Sequence, residues 1–411
     1  MEYGLIGEKL SHSYSPLIHR CFGDYDYRLY PMEKEEMEAL LRERAFRGLN
    51  VTIPYKRAVL PFCDGISDTV RAVGSANTLV NRQGKLTAYN TDLGGFLFML
   101  QKGGITLTGK KVLILGSGGT SLTAQAACRE QGARETVVVS RSGPVTYEDM
   151  YRRHTHGEVL INTTPAGMYP QTEGCPADLS RFPNLIGVAD VIYNPARTRL
   201  LQEAESRGIP HIGGLWMLCA QGWYAARLFT GADIPEEKLE KAYRAVRSQC
   251  LNLVLVGMPG SGKSTLGRLA AEKLGRRFVD IDGEIVSRFG PIPEIFARQG
   301  EAAFRAMEAE VIRKTAKESG LVIAAGGGAV LREENRLFLR QNAVVAWVQR
   351  PLERLSTAGR PLSTGPETLR RMEEARTPLY EAAADFTVLN DGTPEEALKK
   401  LTEGLDEGIG D

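Results

Sequence analysis

Gly257-Met258-Pro259-Gly260-Ser261-Gly262-Lys263-Ser264-Thr265 fits the pattern G-x-x-x-x-G-K-[ST], a loop whose backbone N–H groups cradle nucleotide phosphates. Its surroundings supply the strand and the helix that this pattern needs. Leu251 to Val256 is a short apolar, β-favouring run, and Leu266, Leu269, Ala270 and Leu274 recur at helical spacing. In strand–loop–helix form, the loop amides and the helix N-terminus point at one anion. Glycines let the backbone approach the phosphates. Lys263 can reach the β and γ oxygens, and the Ser264 hydroxyl can ligate Mg²⁺. Gly260, Ser261, Gly262, Lys263, Ser264 and Thr265 are therefore the nucleotide-binding candidates, with Ser264 a metal candidate.

The loop begins after 256 residues, so something else fills the first part of the chain. A chain of 411 residues is too long for one ordinary core, and two or three domains are expected. Hydrophobic residues make up 43% and charged residues 25%, the balance of a globular protein. The formal net charge is +1, which leaves no electrostatic footprint for nucleic acid or an anionic membrane. No apolar run approaches the ~20 residues that span a bilayer. The start, Met1-Glu2-Tyr3-Gly4-Leu5-Ile6, is not patterned as a signal peptide. The six cysteines (21, 63, 128, 175, 219 and 250) form no C-x-x-C pair, so free thiols in a reducing cytoplasm are expected. His154 and His156 lie in a polar stretch that reads as solvated surface rather than as a zinc site.

Apolar β-type runs alternate with helical stretches almost throughout, the pattern of an α/β architecture with mostly parallel sheets. The charged helical stretch Pro235 to Gln249 marks the main boundary. Inside the first module a second phosphate-binding pattern occurs. Lys110 to Leu115 reads as a strand, Gly116-Ser117-Gly118-Gly119 as a turn, Thr120 to Gln131 as a helix and Thr136 to Val139 as the next strand. In this βαβ unit Gly116 makes the tight turn and Gly118 admits the pyrophosphate. The second strand ends on Ser140-Arg141-Ser142, where an NAD site would carry an acidic residue; a cation and hydroxyls favour a 2′-phosphate, hence NADP.

Three polar clusters in the first ~95 residues supply the groups that hold a small polyhydroxy acid. They are Ser11-His12-Ser13-Tyr14-Ser15-Pro16, Asn50 through Lys56, and Asn77-Thr78 with Asn90-Thr91-Asp92. With Gly4-Leu5-Ile6-Gly7, the Gly116 turn, Asn162-Thr163-Thr164-Pro165-x-Gly167-Met168, Asp190-x-x-Tyr193-x-Pro195 and Met217-Leu218-x-x-Gln221, residues 1 to about 248 resemble shikimate dehydrogenase. The resemblance implies that Ser13 and Ser15 bind the substrate carboxylate and that Lys56 and Asp92 are the catalytic pair. It also implies that Thr52, Asn77, Tyr193 and Gln221 line the substrate pocket, and that Gly116, Ser117, Gly118, Gly119, Ser140, Arg141 and Gly214 bind NADP(H). The chain departs from the family at Arg20, where asparagine is common, at Leu93, where glycine is frequent, and at Ser75; these departures leave selectivity between shikimate and quinate open.

After the phosphate loop, Phe278-Val279-Asp280-Ile281-Asp282 reads as a strand that points both carboxylates the same way. Arg305 follows on a helix, Val322 to Ala325 is a buried-type strand leading into Gly326-Gly327-Gly328, Arg360 lies in a polar loop, and Arg376 to Tyr380 ends a helix. This order resembles shikimate kinase over residues 251 to about 405. The resemblance implies that Asp280 supports Mg²⁺ through water and that Asp282 holds the acceptor hydroxyl as base. It implies further that Arg305 and Arg376 clamp the substrate carboxylate beside Gly327 and Gly328, and that Arg360 reaches the transferring phosphate from a lid. Between Leu355 and Arg360 the lid is shorter than the family's, and an arginine on the adenine side is missing; Arg354 is the available substitute, and weaker nucleotide binding or a lid that closes differently would follow.

Together these resemblances imply a bifunctional enzyme that reduces 3-dehydroshikimate with NADPH and phosphorylates the shikimate with MgATP. The alternatives are a quinate/shikimate dehydrogenase fused to a weak or inactive kinase, and a non-catalytic regulatory protein on the same folds. The expected organisation is a substrate-binding domain over 1–102 completed by helices in about 222–248, a Rossmann NADP domain over 103–221 and a P-loop kinase domain over 250–411. The expected partners are small molecules, with no nucleic acid and no membrane; both monomer and homodimer stay open.

Overall fold

The computed structural model describes residues 2–10, 13–355 and 366–410. The chain divides into two compact units, Met1–Tyr193 with Thr198–Val246 and Asn194–Arg197 with Arg247–Asp411. The first carries two sheets. Strands β1 (Tyr3–Gly7), β2 (Tyr27–Pro31), β3 (Gly48–Val51), β4 (Gly65–Ile66), β5 (Thr78–Arg82) and β6 (Lys85–Tyr89) form one in the order β2-β1-β3-β5-β6-β4. It is parallel except where β5 runs against β3 and β6. Strands β7 (Lys111–Leu115), β8 (Glu135–Val139), β9 (Val159–Asn162), β10 (Gly187–Asp190) and β11 (His211–Ile212) form an all-parallel sheet in the order β11-β10-β9-β7-β8.

The second unit holds β12 (Asn252–Val256), β13 (Phe278–Asp280), β14 (Val322–Ala324), β15 (Ala343–Gln349) and β16 (Phe386–Leu389), again all parallel, in the order β13-β14-β12-β15-β16. The two parallel sheets are covered on both faces, and their central strands show how. Val112 and Ile114 of β7 enter one apolar cluster, while Leu113 and Leu115 enter another. Leu253 and Leu255 of β12 face one cluster, and Val254 and Val256 face the opposite one. A continuous apolar run is what a strand buried on two faces requires. Each such side chain contributes about 1.5–3 kcal/mol by leaving water.

Two sequence expectations need correction. The strand expected over 278–282 stops at Asp280, and Ile281–Phe289 is a helix. The cause is local: Asp280 Oδ1 accepts from the amides of Asp282 at 3.1 Å and Gly283 at 3.4 Å, so this carboxylate caps a helix. The helix expected to end over 376–380 runs from Pro366 to Ala383 with Pro378 inside it. His154 is half-buried and His156 is exposed, with Nε2 3.0 Å from Lys111 Nζ. Among the described residues, no helix is long and apolar enough to cross a membrane, and no group of three metal-ligating side chains occurs.

The helices Thr91–Lys102 and Leu215–Thr230 approach each other closely. A Cβ placed on Gly95 would stand 2.7 Å from Met217 O and 3.0 Å from the Gln221 amide nitrogen, so only glycine allows this spacing. Gly95→Val is expected to destabilise the first unit by about 1–3 kcal/mol through overpacking. Equilibrium urea unfolding should show a lower midpoint for that unit; an unchanged midpoint would mean that the helices are not packed this tightly.

Candidate active sites

The first site gathers where β3, the β5–β6 hairpin and the helix Thr91–Lys102 converge. Thr52 and Lys56 follow β3, Asn77 precedes β5, and Asp92 sits in the first turn of the helix, whose Asn90 cap accepts from the Leu93 amide at 3.2 Å. Lys56 Nζ donates to Asp92 Oδ2 at 2.6 Å, and Asn77 Nδ2 donates to Asp92 Oδ1 at 2.9 Å. Both carboxylate oxygens are engaged, which fixes the ammonium in place. A plain surface ion pair would be worth little. This one is different because Lys56 and Asp92 line two cavities at once.

One cavity, of about 500 Å³, brings Lys56 and Asp92 together with Ser13, Ser15, Thr52 and Asn77. Tyr193, Gly214 and Gln221 line it too, so Gly214, expected on the cofactor, stands at the same cavity as the substrate-pocket candidates. Ser13 and Ser15 present their hydroxyls 3.1 Å apart at the start of the helix Ser15–Phe22. Behind them His19 stacks on Tyr27 at 3.8 Å, and Tyr27 donates to Asn50 Oδ1 at 2.7 Å. Burial pushes His19 down to about 3, so it packs as a neutral ring.

The other cavity, of about 360 Å³, joins Lys56 and Asp92 to Ser117, Gly118 and Gly119. The turn fits a dinucleotide. Gly118 is the N-cap of the helix Gly119–Glu130, and a Cβ on Gly118 or Gly119 would meet nothing within 4 Å, which leaves the helix N-terminus open to an anion. Gly116 makes the turn at φ +104 with Thr163 close behind it. Ser140 and Arg141 follow β8 but line neither cavity.

The second site lies at the carboxyl ends of β12, β13 and β14. A cavity of about 450 Å³ is lined by Gly260, Gly262, Lys263, Ser264 and Thr265 on one side and by Arg305, Gly327, Gly328 and Arg376 on the other, with Asp280 and Asp282 between. Ser261 is buried behind the loop. Lys263 Nζ donates to the carbonyls of Gly257 at 2.8 Å and Met258 at 2.9 Å, which arches it over the loop. Ser264 Oγ donates to Asp280 Oδ2 at 2.6 Å; two hard oxygen donors so placed suit Mg²⁺. Asp282 reaches this cavity from the first turn of a helix and not from a strand. Arg360 lies outside the described residues.

Three successive glycines shape the far wall, and each lets a functional group or ring approach its backbone closely. A Cβ on Gly326 would stand 2.8 Å from both Asp282 Oδ1 and Glu308 Oε1, one on Gly327 would stand 2.6 Å from the Pro259 ring, and one on Gly328 would strike the Arg305 guanidinium. Arg376 Nη1 and the Tyr380 hydroxyl both donate to Gly327 O, at 3.0 and 2.6 Å. Sequence reading passed over two charged residues in this cavity, Glu308 and Arg350. Glu308 accepts from Arg305 Nη1 at 2.8 Å, and burial pushes its carboxyl up against the pull of Arg305. The spacing Arg305-x-x-Glu308 on one helix face was the available signal. Arg350 follows β15 with no motif around it.

Known proteins resemble both parts. Shikimate dehydrogenase (NADP(+)) from Clostridium beijerinckii is 34% identical over 261 residues, which cover 59% of this chain and 96% of that protein. Its counterpart from Geobacillus kaustophilus is 37% identical over 254 residues, 56% of this chain and 92% of that protein. The family profile of the shikimate dehydrogenase substrate binding domain matches residues 5–79. The chain belongs to the shikimate dehydrogenase family. The shikimate kinase profile matches residues 259–406, so the chain carries a shikimate kinase domain as well. Among solved structures, the Thermus thermophilus shikimate 5-dehydrogenase in complex with NADP(H) and shikimate aligns with a TM-score of 0.54 at 32% identity, covering 60% of this chain and 99% of that one. A quinate dehydrogenase from Corynebacterium glutamicum in complex with NAD aligns with a TM-score of 0.54 at 27% identity, over 59% and 98%.

In the shikimate dehydrogenase unit, Asp190 at the end of β10 is fully buried and accepts from Asn162 Nδ2 at 3.0 Å, the Ile192 amide at 3.1 Å and Thr198 Oγ1 at 2.7 Å. Burial outweighs these bonds and pushes its carboxyl up to about 7. The unfolded chain releases this proton near pH 4. The folded state therefore binds it more tightly, and the stabilisation is full below about pH 4 and is lost as pH rises through 7. Stability of this unit should fall by a few kcal/mol between pH 5 and 8, and Asp190→Asn should flatten that slope. Calorimetry across this range checks it; equal slopes in parent and variant would contradict the assignment.

Proposed function

We propose that the chain catalyses two consecutive steps, reduction of 3-dehydroshikimate to shikimate with NADPH and phosphorylation of the shikimate 3-hydroxyl with MgATP. The observation that carries the first step is the Lys56–Asp92 pair, which lines both a polar cavity and the cavity of the Gly118 turn. A group held there faces a small polyhydroxy acid on one side and a dinucleotide on the other. The six-stranded sheet serves the acid, the β7–β11 sheet serves the dinucleotide, and the unit after Val246 serves the phosphoryl transfer. Reductive chemistry of this kind, with six free cysteines, suits the cytoplasm.

When bound, the reduced nicotinamide supplies a hydride and MgATP a phosphoryl group. Lys56 donates a proton to the oxygen of the carbonyl under reduction, and its charge stabilises the alkoxide as it forms. Asp92 orients Lys56 through the 2.6 Å bond, while Asn77 holds Asp92 from the other side. Ser13 and Ser15 hold the substrate carboxylate through their hydroxyls; Thr52, Tyr193 and Gln221 close the pocket around its ring. Ser117, Gly118 and Gly119 hold the pyrophosphate, and Arg141 with Ser140 receives the 2′-phosphate at the end of β8.

In the kinase, Asp282 accepts the proton of the attacking hydroxyl, and Arg305 and Arg376 hold the acceptor's carboxylate with their planar forks. Lys263 neutralises charge on the transferring phosphoryl group, and Ser264 and Asp280 position the metal. Arg360 completes the charge neutralisation. Phosphoryl transfer demands positioning above all, and the Gly326–Gly328 wall lets Asp282, Glu308 and Arg305 crowd one point.

Two variants separate the activities. Lys56→Met is expected to lower NADPH oxidation by about 10²–10⁴-fold and leave ATP turnover with supplied shikimate intact. Asp282→Asn is expected to do the reverse. Paired steady-state assays on the full chain read both; a Lys56→Met protein that keeps its reductase rate would remove Lys56 from the chemistry.

A further inference from the structure

The kinase cavity carries four cations among its described residues, and three of them are engaged. Arg305 is held by Glu301 at 3.1 Å and Glu308 at 2.8 Å. Arg376 donates to the Gly327 carbonyl, and Lys263 to those of Gly257 and Met258. Arg350 is different. It lines the cavity, its Nε is buried with no hydrogen-bond partner, and its guanidinium makes no ion pair among the described residues. A buried donor left unmade costs free energy, so an arginine kept for packing alone would be expected to find an acceptor.

Its other end lies beside the phosphate loop. Arg350 is the first residue after β15, which pairs with β12, the strand that leads into the phosphate loop. Its Nη1 lies 3.9 Å from where a Cβ on Gly262 would be. Gly262 caps the helix Lys263–Leu274, whose free amides attract anions. Next to it Asn390 Nδ2 donates to Ser261 O at 2.8 Å and so holds the loop on the same side. Arg354, the residue that sequence reading offered for the missing lid arginine, points elsewhere: it is exposed, donates to the Asp391 carbonyl and does not line the cavity.

We infer that Arg350 binds the phosphates of the nucleotide, as a second cation beside Lys263 that compensates for the arginine absent from the shortened lid. The inference rests on the kinase reading of this cavity. A triphosphate brings more negative charge than Lys263 and one divalent ion neutralise, and a fork whose Nη1 stands beside Gly262 can bind oxygens held at that helix start.

The test measures MgADP affinity by titration calorimetry on the full chain, with inorganic tripolyphosphate as a competitor that has no base. Arg350→Met is expected to weaken MgADP by about 10-fold or more and tripolyphosphate in parallel, and Arg350→Lys by less, because it keeps the charge and loses the fork. Shikimate affinity and the reductase rate should stay at parental values, which also reports correct folding, and Arg354→Met should leave MgADP binding unchanged. If Arg350→Met binds MgADP within two-fold of the parent, the inference falls. If MgADP weakens while tripolyphosphate does not, the side chain serves the base and the phosphate assignment falls. A parent that binds neither overturns the kinase reading and this inference with it.

Discussion

A strand buried on both faces hands the chain to a helix through a glycine-rich turn whose backbone an anion can approach, and both nucleotide sites depend on that constraint. It is met twice, at Gly116–Gly119 after β7 and at Gly257–Gly262 after β12. In each case the apolar strand is anchored by opposite clusters, so the turn emerges at a fixed height at the carboxyl end of a parallel sheet. The first turn of the following helix then lines a cavity in each case. Everything chemical in the molecule is arranged around those two helix starts. Lys56 and Asp92 share a cavity with the first. Ser264, Asp280 and Asp282 share one with the second.

Exclusion of side chains does as much as their presence. At Gly326, Gly327 and Gly328 a single added carbon would displace Asp282 and Glu308, the Pro259 ring and the Arg305 fork in turn. The acidic and basic groups of the kinase can therefore converge to ion-pair distance without a bulky wall between them. At Gly95 the same economy brings Gln221 to the reductase pocket, because two helices come into backbone contact there. Preorganisation of this sort matters most for phosphoryl transfer, where there is little covalent chemistry for the protein to perform.

Much of this was legible in the residue string, and the exceptions have physical causes. β7 and β12 announced themselves as apolar runs followed by glycines, and their boundaries differ from expectation by a single residue. Lys56, Asp92 and Asn77 lie far apart in sequence, and only the resemblance of their flanking motifs joined them; the structure brings them to hydrogen-bond distance. Asp280 and Asp282 look like alternate residues of a strand, but the Asp280 carboxylate caps a helix and the strand ends at Asp280. Glu308 and Arg350 escaped because burial of a charge depends on tertiary neighbours, which no local spacing encodes for a lone arginine at a strand end. The binding of NADP rather than NAD rests in sequence on Arg141, a surface residue outside both reductase cavities; the names of the relatives carry more weight there.

The central claim is that one chain makes shikimate and then consumes it. The most direct measurement is a single vessel holding the purified chain, 3-dehydroshikimate, ATP and Mg²⁺, with NADPH loss and ADP formation followed separately. ADP should appear only after NADPH is added, and its total should match the NADPH consumed. ADP formation that ignores NADPH, or NADPH consumption with no ADP even when shikimate is supplied, would contradict the account.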